Sequence, residues 1–166
     1  MFMFRPGDDA DRETVSDDGG RFKIKHAPAG AILLRGISKD FQASEYGFVS
    51  TVRTVDAKHP DVGDIQILKR RVKPNAPVGE LGVHFVEQPP NTAPDQREFK
   101  VSYIDPAGPA ARTELKAGDL ITAIDGIAIT GANAMNAWLL LRAPPGTELV
   151  LGLKRGATVT VVLAAP

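Results

Sequence analysis

Gly79-Glu80-Leu81-Gly82-Val83-His84-Phe85 is the stretch on which the fold turns. Leu81, Val83 and Phe85 alternate with Gly82 and His84, the period of a strand with one buried face. A glycine in the lead-in to such a strand permits backbone angles closed to other residues. Consecutive amides can then converge on one point, a geometry that binds anions. The following segments keep a β rhythm. Phe99, Val101 and Tyr103 alternate over 98–104, and Pro109 opens a short helix where its missing N–H costs nothing. Asp125-Gly126 makes a tight turn between strands at 120–124 and 127–129. A helix is predicted over 132–142, stopped by Pro144-Pro145-Gly146. Leu149, Leu151 and Leu153 then alternate, as do Val159, Val161 and Leu163.

Working back toward the N-terminus, Lys69-Arg70-Arg71-Val72-Lys73-Pro74-Asn75-Ala76-Pro77 is basic, twice broken by proline and without period. It reads as a solvated strand edge running into a linker at 73–77. Before it the pattern is again β. Asp17-Asp18-Gly19-Gly20 is turn chemistry, Phe22, Ile24 and His26 alternate with Lys23 and Lys25, and strands are predicted at 32–34, 48–55 and 65–68.

Composition limits the function. The 166 residues carry 20 basic and 20 acidic side chains, so the zero net charge lacks the footprint of a general nucleic-acid binder. With no cysteine, disulfide frameworks, thiol catalysis and Cys-ligated zinc are excluded. No apolar run is long enough to span a bilayer, and the apolar residues 1–4 are too few for the core of a signal peptide. His26, His59 and His84 have no metal-ligand spacing, and no nucleophile-elbow, zinc-protease or phosphate-loop string occurs. The cluster Asp8, Asp9, Asp11, Asp17 and Asp18 lacks the order of a helix-loop-helix calcium site and reads as a solvated loop. Neither a metal nor a cofactor is expected, and the chain reads as non-enzymatic.

Two resemblances add to this reading. Gly79-Glu80-Leu81-Gly82-Val83, Asp105-Pro106-Ala107-Gly108-Pro109-Ala110-Ala111, 115–126, 137–147 and 149–156 together resemble a bacterial PDZ domain over 78–166. Glu114 and Gly108 depart from its usual glycine and serine. Residues 16–24, 28–35 and 61–65 resemble a transthyretin-like, carboxypeptidase-regulatory-like domain over 1–72, lacking that family's first two strands. The expected fold is therefore mainly β: a partial transthyretin-like β-sandwich followed by a PDZ-like α+β barrel with two helices. An incomplete sandwich exposes an edge through which two copies can pair as a homodimer.

The resemblance to PDZ domains implies a groove that binds an extended peptide or a protein C-terminus by strand addition. Carried over, the amides of Leu81, Gly82 and Val83 would hold the carboxylate. Leu81, Val83 and Phe85 from the strand, with Ala134, Trp138 and Leu141 from the helix, would line the first pocket. Leu81, Val83 and Phe85 read equally as core, and Leu141 reads more readily as core than as pocket. Trp138 reads either as a pocket wall or as a plug that closes the groove. Ala134 offers no hydrogen bond, so the ligand side chain beside it is expected to be apolar. His84 is expected to point away. PDZ domains of this kind accompany periplasmic and secreted proteases, which implies an extracytoplasmic location. Three functions follow: a protein-recognition module, a structural spacer with a closed groove, or the targeting domain of a protease whose catalytic part lies elsewhere.

Overall fold

The computed structural model describes the chain apart from residues 8, 9, 74, 90, 91, 93–95 and 131–133, with residues 10 and 134–136 described in their backbone only. Contacts divide it into two units, Met1–Lys69 and Arg70–Pro166.

The first unit is a four-stranded antiparallel sheet. Strands β1 (Phe2–Pro6), β2 (Thr14–Val15), β3 (Gly30–Ser38) and β4 (Val49–Val55) lie in the order β2-β1-β3-β4. Phe4, only 2% exposed, pairs with Gly36, which in turn pairs with Val49. A β-carbon on Gly36 would lie 2.6 Å from both the Phe4 ring and the Val49 side chain, so the glycine is what gives these two room. Ile32, Leu34 and Val55 form the buried centre, with Ile24, Val62 and Ile65 packed on it. Ser16, buried at the sheet edge, is satisfied: its hydroxyl accepts from the Phe2 amide at 2.9 Å, and its own amide donates to the Phe2 carbonyl.

Two expected strands are absent here. Phe22 and Ile24 keep the exposure alternation of a strand, but 21–27 forms no ladder, and exposed His26 turns at φ 57°. Phe22 stacks on Phe4 (4.1 Å, 13°) and Ile24 joins the core, so this segment lies over the sheet face rather than beside an edge. Residues 65–68 likewise form no ladder and end in one isolated bridge, Tyr46 to Lys69. Strand β1, by contrast, occupies an apolar stretch in which no alternation stands out.

The second unit holds a two-stranded ladder, β5 (Val83–Phe85) with β6 (Val101–Ile104), and a four-stranded antiparallel sheet. That sheet has the order β10-β9-β7-β8, from β7 (Ile121–Ile124), β8 (Ile127–Ala128), β9 (Glu148–Leu153) and β10 (Thr158–Val162). Helix α1 spans Ala134–Leu141. Leu149, Leu151, Leu153, Val159, Val161 and Leu163 are all buried, while Val150 and Val162 face solvent, as strict alternation requires. Ala110, Ala137 and Ala143, each 0% exposed, let the turns and helix approach this sheet closely.

The expected barrel does not close. Between the two sheets run isolated bridges, Glu80 to Ala164 and Lys100 to Leu120, rather than continuous ladders. The first of the two expected helices is a four-residue 3-10 turn, Pro109–Arg112. Gly108 supplies no side-chain cap, and extended Thr113 ends the turn with its amide and hydroxyl both donated to the Ala110 carbonyl.

Candidate functional site

Strand β5 is laddered on one side only: among the described residues β6 is its sole strand partner. The Asp105 amide donates to the Gly82 carbonyl at 2.9 Å and the Val86 amide to the Lys100 carbonyl at 2.8 Å. These bonds flank the pairs Val83–Ile104 and Phe85–Val101, which marks both as non-hydrogen-bonded pairs of an antiparallel ladder. The N–H and C=O groups of Val83 and Phe85 therefore turn to the open side of β5. A register shift between His84 and Phe85 leaves Ser102 of β6 as an extra residue between the partners of these two.

The loop leading into β5 is anchored before it lifts away. Gly79 donates to the Ala143 carbonyl at 2.8 Å, and Glu80 and Ala164 exchange two backbone bonds of 2.9 and 3.0 Å. The Leu81 carbonyl then accepts from Ala110 and the Gly82 carbonyl from Asp105. With both carbonyls engaged, the Leu81 and Gly82 amides have no bonded acceptor among the described residues. Gly82 sits at φ +69°, and a β-carbon there would lie 2.8 Å from the Gly108 α-carbon. Glycine is thus required twice, by dihedral angle and by space.

An aromatic cluster joins strand to helix. Trp138 of α1 meets Phe85 with ring centroids 5.5 Å apart at 89°, and Phe99 at 5.3 Å and 74°. Phe85 and Phe99 lie 4.2 Å apart. Phe99 is buried, Phe85 half-buried, and Trp138 keeps 49% of its surface exposed. Trp138 therefore bridges from the helix to the strand while presenting its other half to solvent. Ala143, two residues past α1, is bonded to Gly79, so α1 runs against the 79–85 direction with its C-terminal end toward the lead-in loop.

Leu81, Gly82 and Val83 are half-buried and contiguous, and Leu141 is buried at 7%, so it presents little surface to a ligand. The side chain of Ala134 lies outside the described residues. His84 is exposed and packs beside Tyr103, 5.6 Å between rings. The alternation over 98–104 predicts Phe99 in a strand, but β6 begins at Val101, and nothing in the sequence signals that Phe99 joins this cluster.

The ion pairs of this unit brace its turns. Asp119 accepts from Arg155 Nε at 2.9 Å and from the Lys116 amide at 2.9 Å. Burial pushes its carboxyl up, but the Arg155 hydrogen bond and the Lys116 amide outweigh this and hold it below the usual value. Asp125, at φ 49°, pairs with Arg71 at 2.5 Å and accepts from the Val150 amide at 2.7 Å. Among the described residues no group of three or more His, Asp or Glu is placed to hold a metal ion, and no helix is long and apolar enough to cross a membrane. Of the acidic loop cluster, Asp8 and Asp9 lie outside the described residues.

A strand with one open edge, a glycine loop with unbonded amides and a helix alongside make up the site. Residues 79–163 match the PDZ domain model, and the chain belongs to the PDZ domain family. It is also similar to a "Probable periplasmic serine endoprotease DegP-like" of Halomonas elongata, 39% identical over 66 residues. That match covers 37% of this chain and 14% of the relative, within the PDZ region. The PDZ module is itself non-catalytic and serves protein–protein interaction.

Proposed function

We propose that the second unit binds an extended peptide ending in a free carboxylate, which adds as a strand to β5. The observation that carries this is the pair of unbonded amides at Leu81 and Gly82, beside the open N–H and C=O groups of Val83 and Phe85. Two or three convergent amides suit a carboxylate, since hydrogen bonds to an ionised acceptor are about twice as strong as neutral ones. Leu81, Gly82 and Val83 hold the terminus in this reading, Phe85 and Trp138 contact its side chain, and Ala134 and Leu141 complete the helix side. Amide hydrogen exchange tests it: a bound peptide slows exchange at Leu81, Gly82, Val83 and Phe85. Protection confined to other residues would overturn it.

A second reading has its own support. The Phe85–Trp138 contact favours a groove closed by Trp138, which makes the module a spacer. The name of the Halomonas relative supports a third setting, an extracytoplasmic protease that carries this module as its targeting domain. For the first unit, the four-stranded antiparallel sheet supports a transthyretin-like reading, with homodimers forming through its edge. Sedimentation at graded concentration tests the dimer; a monomer at every concentration would rule it out.

A further inference from the structure

We infer that Trp138 sets an upper limit on the side chain a ligand can insert between β5 and α1, so that the ligand class is chain termini ending in a small residue such as alanine. This rests on the peptide-binding reading above and adds to it what the terminus must be.

The helix and the strand are already in contact. Trp138 and Phe85 touch edge to face with centroids 5.5 Å apart, a separation at which aromatic pairs are in direct contact and hold nothing between them. Phe99 backs both rings and is itself buried at 6%, so Trp138 cannot sink further inward to make room. On the helix side the neighbours offer no slack. Ala137 is 0% exposed, Leu140 3% and Leu141 7%, so the face of α1 around Trp138 is packed into the core.

The distance left for a ligand is short. Phe85 lies two residues beyond Val83, about 7 Å along a strand. Trp138 lies three residues before the end of α1, about 4.5 Å along the helix, and Ala143, two residues past that end, is bonded to Gly79. The span between the amide loop and the aromatic contact therefore holds one inward-facing ligand side chain. A methyl group asks the least room beside these rings. A leucine or phenylalanine side chain requires Trp138 to leave Phe85 and Phe99. Because Trp138 is 49% exposed, shortening it uncovers Phe99 but leaves the fully buried residues of the sheet packed.

Peptides identical except for a last residue of Ala, Val, Leu or Phe, with free carboxylates, test this against the wild type and Trp138→Ala. Trp138 is the only tryptophan, so its emission reports directly whether the ring moves when a peptide binds. The wild type should bind the Ala-ended peptide at least about tenfold more tightly than the Phe-ended one, as expected where a pocket excludes a larger group. Trp138→Ala should erase or reverse that order, and binding of Phe-ended peptide by the variant alone is the same result at its extreme. Wild-type binding that favours Leu or Phe overturns the size limit and leaves peptide binding standing. No binding of any peptide by either protein overturns both.

Discussion

A β-carbon on Gly82 would lie 2.8 Å from the α-carbon of Gly108, so two backbones twenty-six positions apart cross where neither tolerates a side chain. Gly82 also holds φ +69°, which costs a residue with a β-carbon about 1–2 kcal/mol before any clash. Gly82→Val should therefore destabilise the second unit by at least about 2 kcal/mol, and Gly108→Ala, whose β-carbon would meet Gly82, should do so as well. Thermal melts measure both. Unchanged melting of either variant would mean that the loop is not fixed by this crossing. Loss of peptide binding in Gly82→Val alone is accordingly no evidence for carboxylate capture, because the loop itself is displaced.

Asp119 gives the second unit a defined acid sensitivity. Partial burial of its carboxyl raises its pKa, but the Arg155 and Lys116 hydrogen bonds lower it further, to below the ordinary 3.8. A group whose folded pKa lies below its unfolded value binds protons more readily when unfolded. Its stabilisation is therefore present above about pH 4 and is lost as pH falls through the folded value. Melting temperature followed from pH 6 to pH 2 should fall more steeply for the wild type than for Asp119→Asn. Parallel curves would contradict the assignment.

The junction between the units should be the first site of tryptic cleavage. Lys69 is exposed, whereas Arg71 is tied to Asp125 with both side chains only 25% exposed, and Lys73 precedes a proline that blocks the protease. Brief digestion should cut after Lys69 or Arg70 and leave a resistant fragment running to the C-terminus. Early cuts within 101–163, read by mass spectrometry, would contradict the division into units.

How much of this was legible depends on what kind of contact each residue makes. Leu149 to Leu153 and Val159 to Leu163 could be read directly, because a sheet with one buried face imposes its period on the sequence. Phe22 and Ile24 alternate in the same way, yet their segment lies over a sheet rather than in one, since alternation reports which side is covered and not which backbone pairs. Pro109 correctly marked a helical start, but nothing local announced that Thr113 would end it after one turn. At the site, the glycine loop was legible from Leu81-Gly82-Val83. The PDZ resemblance sets Phe85 and Trp138 on one pocket, but nothing local adds Phe99, whose segment only tertiary packing brings to the other two rings.

Carboxylate capture by the Leu81–Gly82 loop is the centre of this account, and one titration addresses it most directly. A peptide ending in alanine is titrated as the free acid and as the C-terminal amide, at constant salt. Backbone pairing along β5 plus one small side chain predicts a Kd on the order of micromolar for the acid, about −8 kcal/mol. The amide, deprived of the charged acceptor, should bind at least about tenfold more weakly, the equivalent of one lost charge-assisted bond. Equal affinity of acid and amide would contradict terminal-carboxylate recognition by this loop.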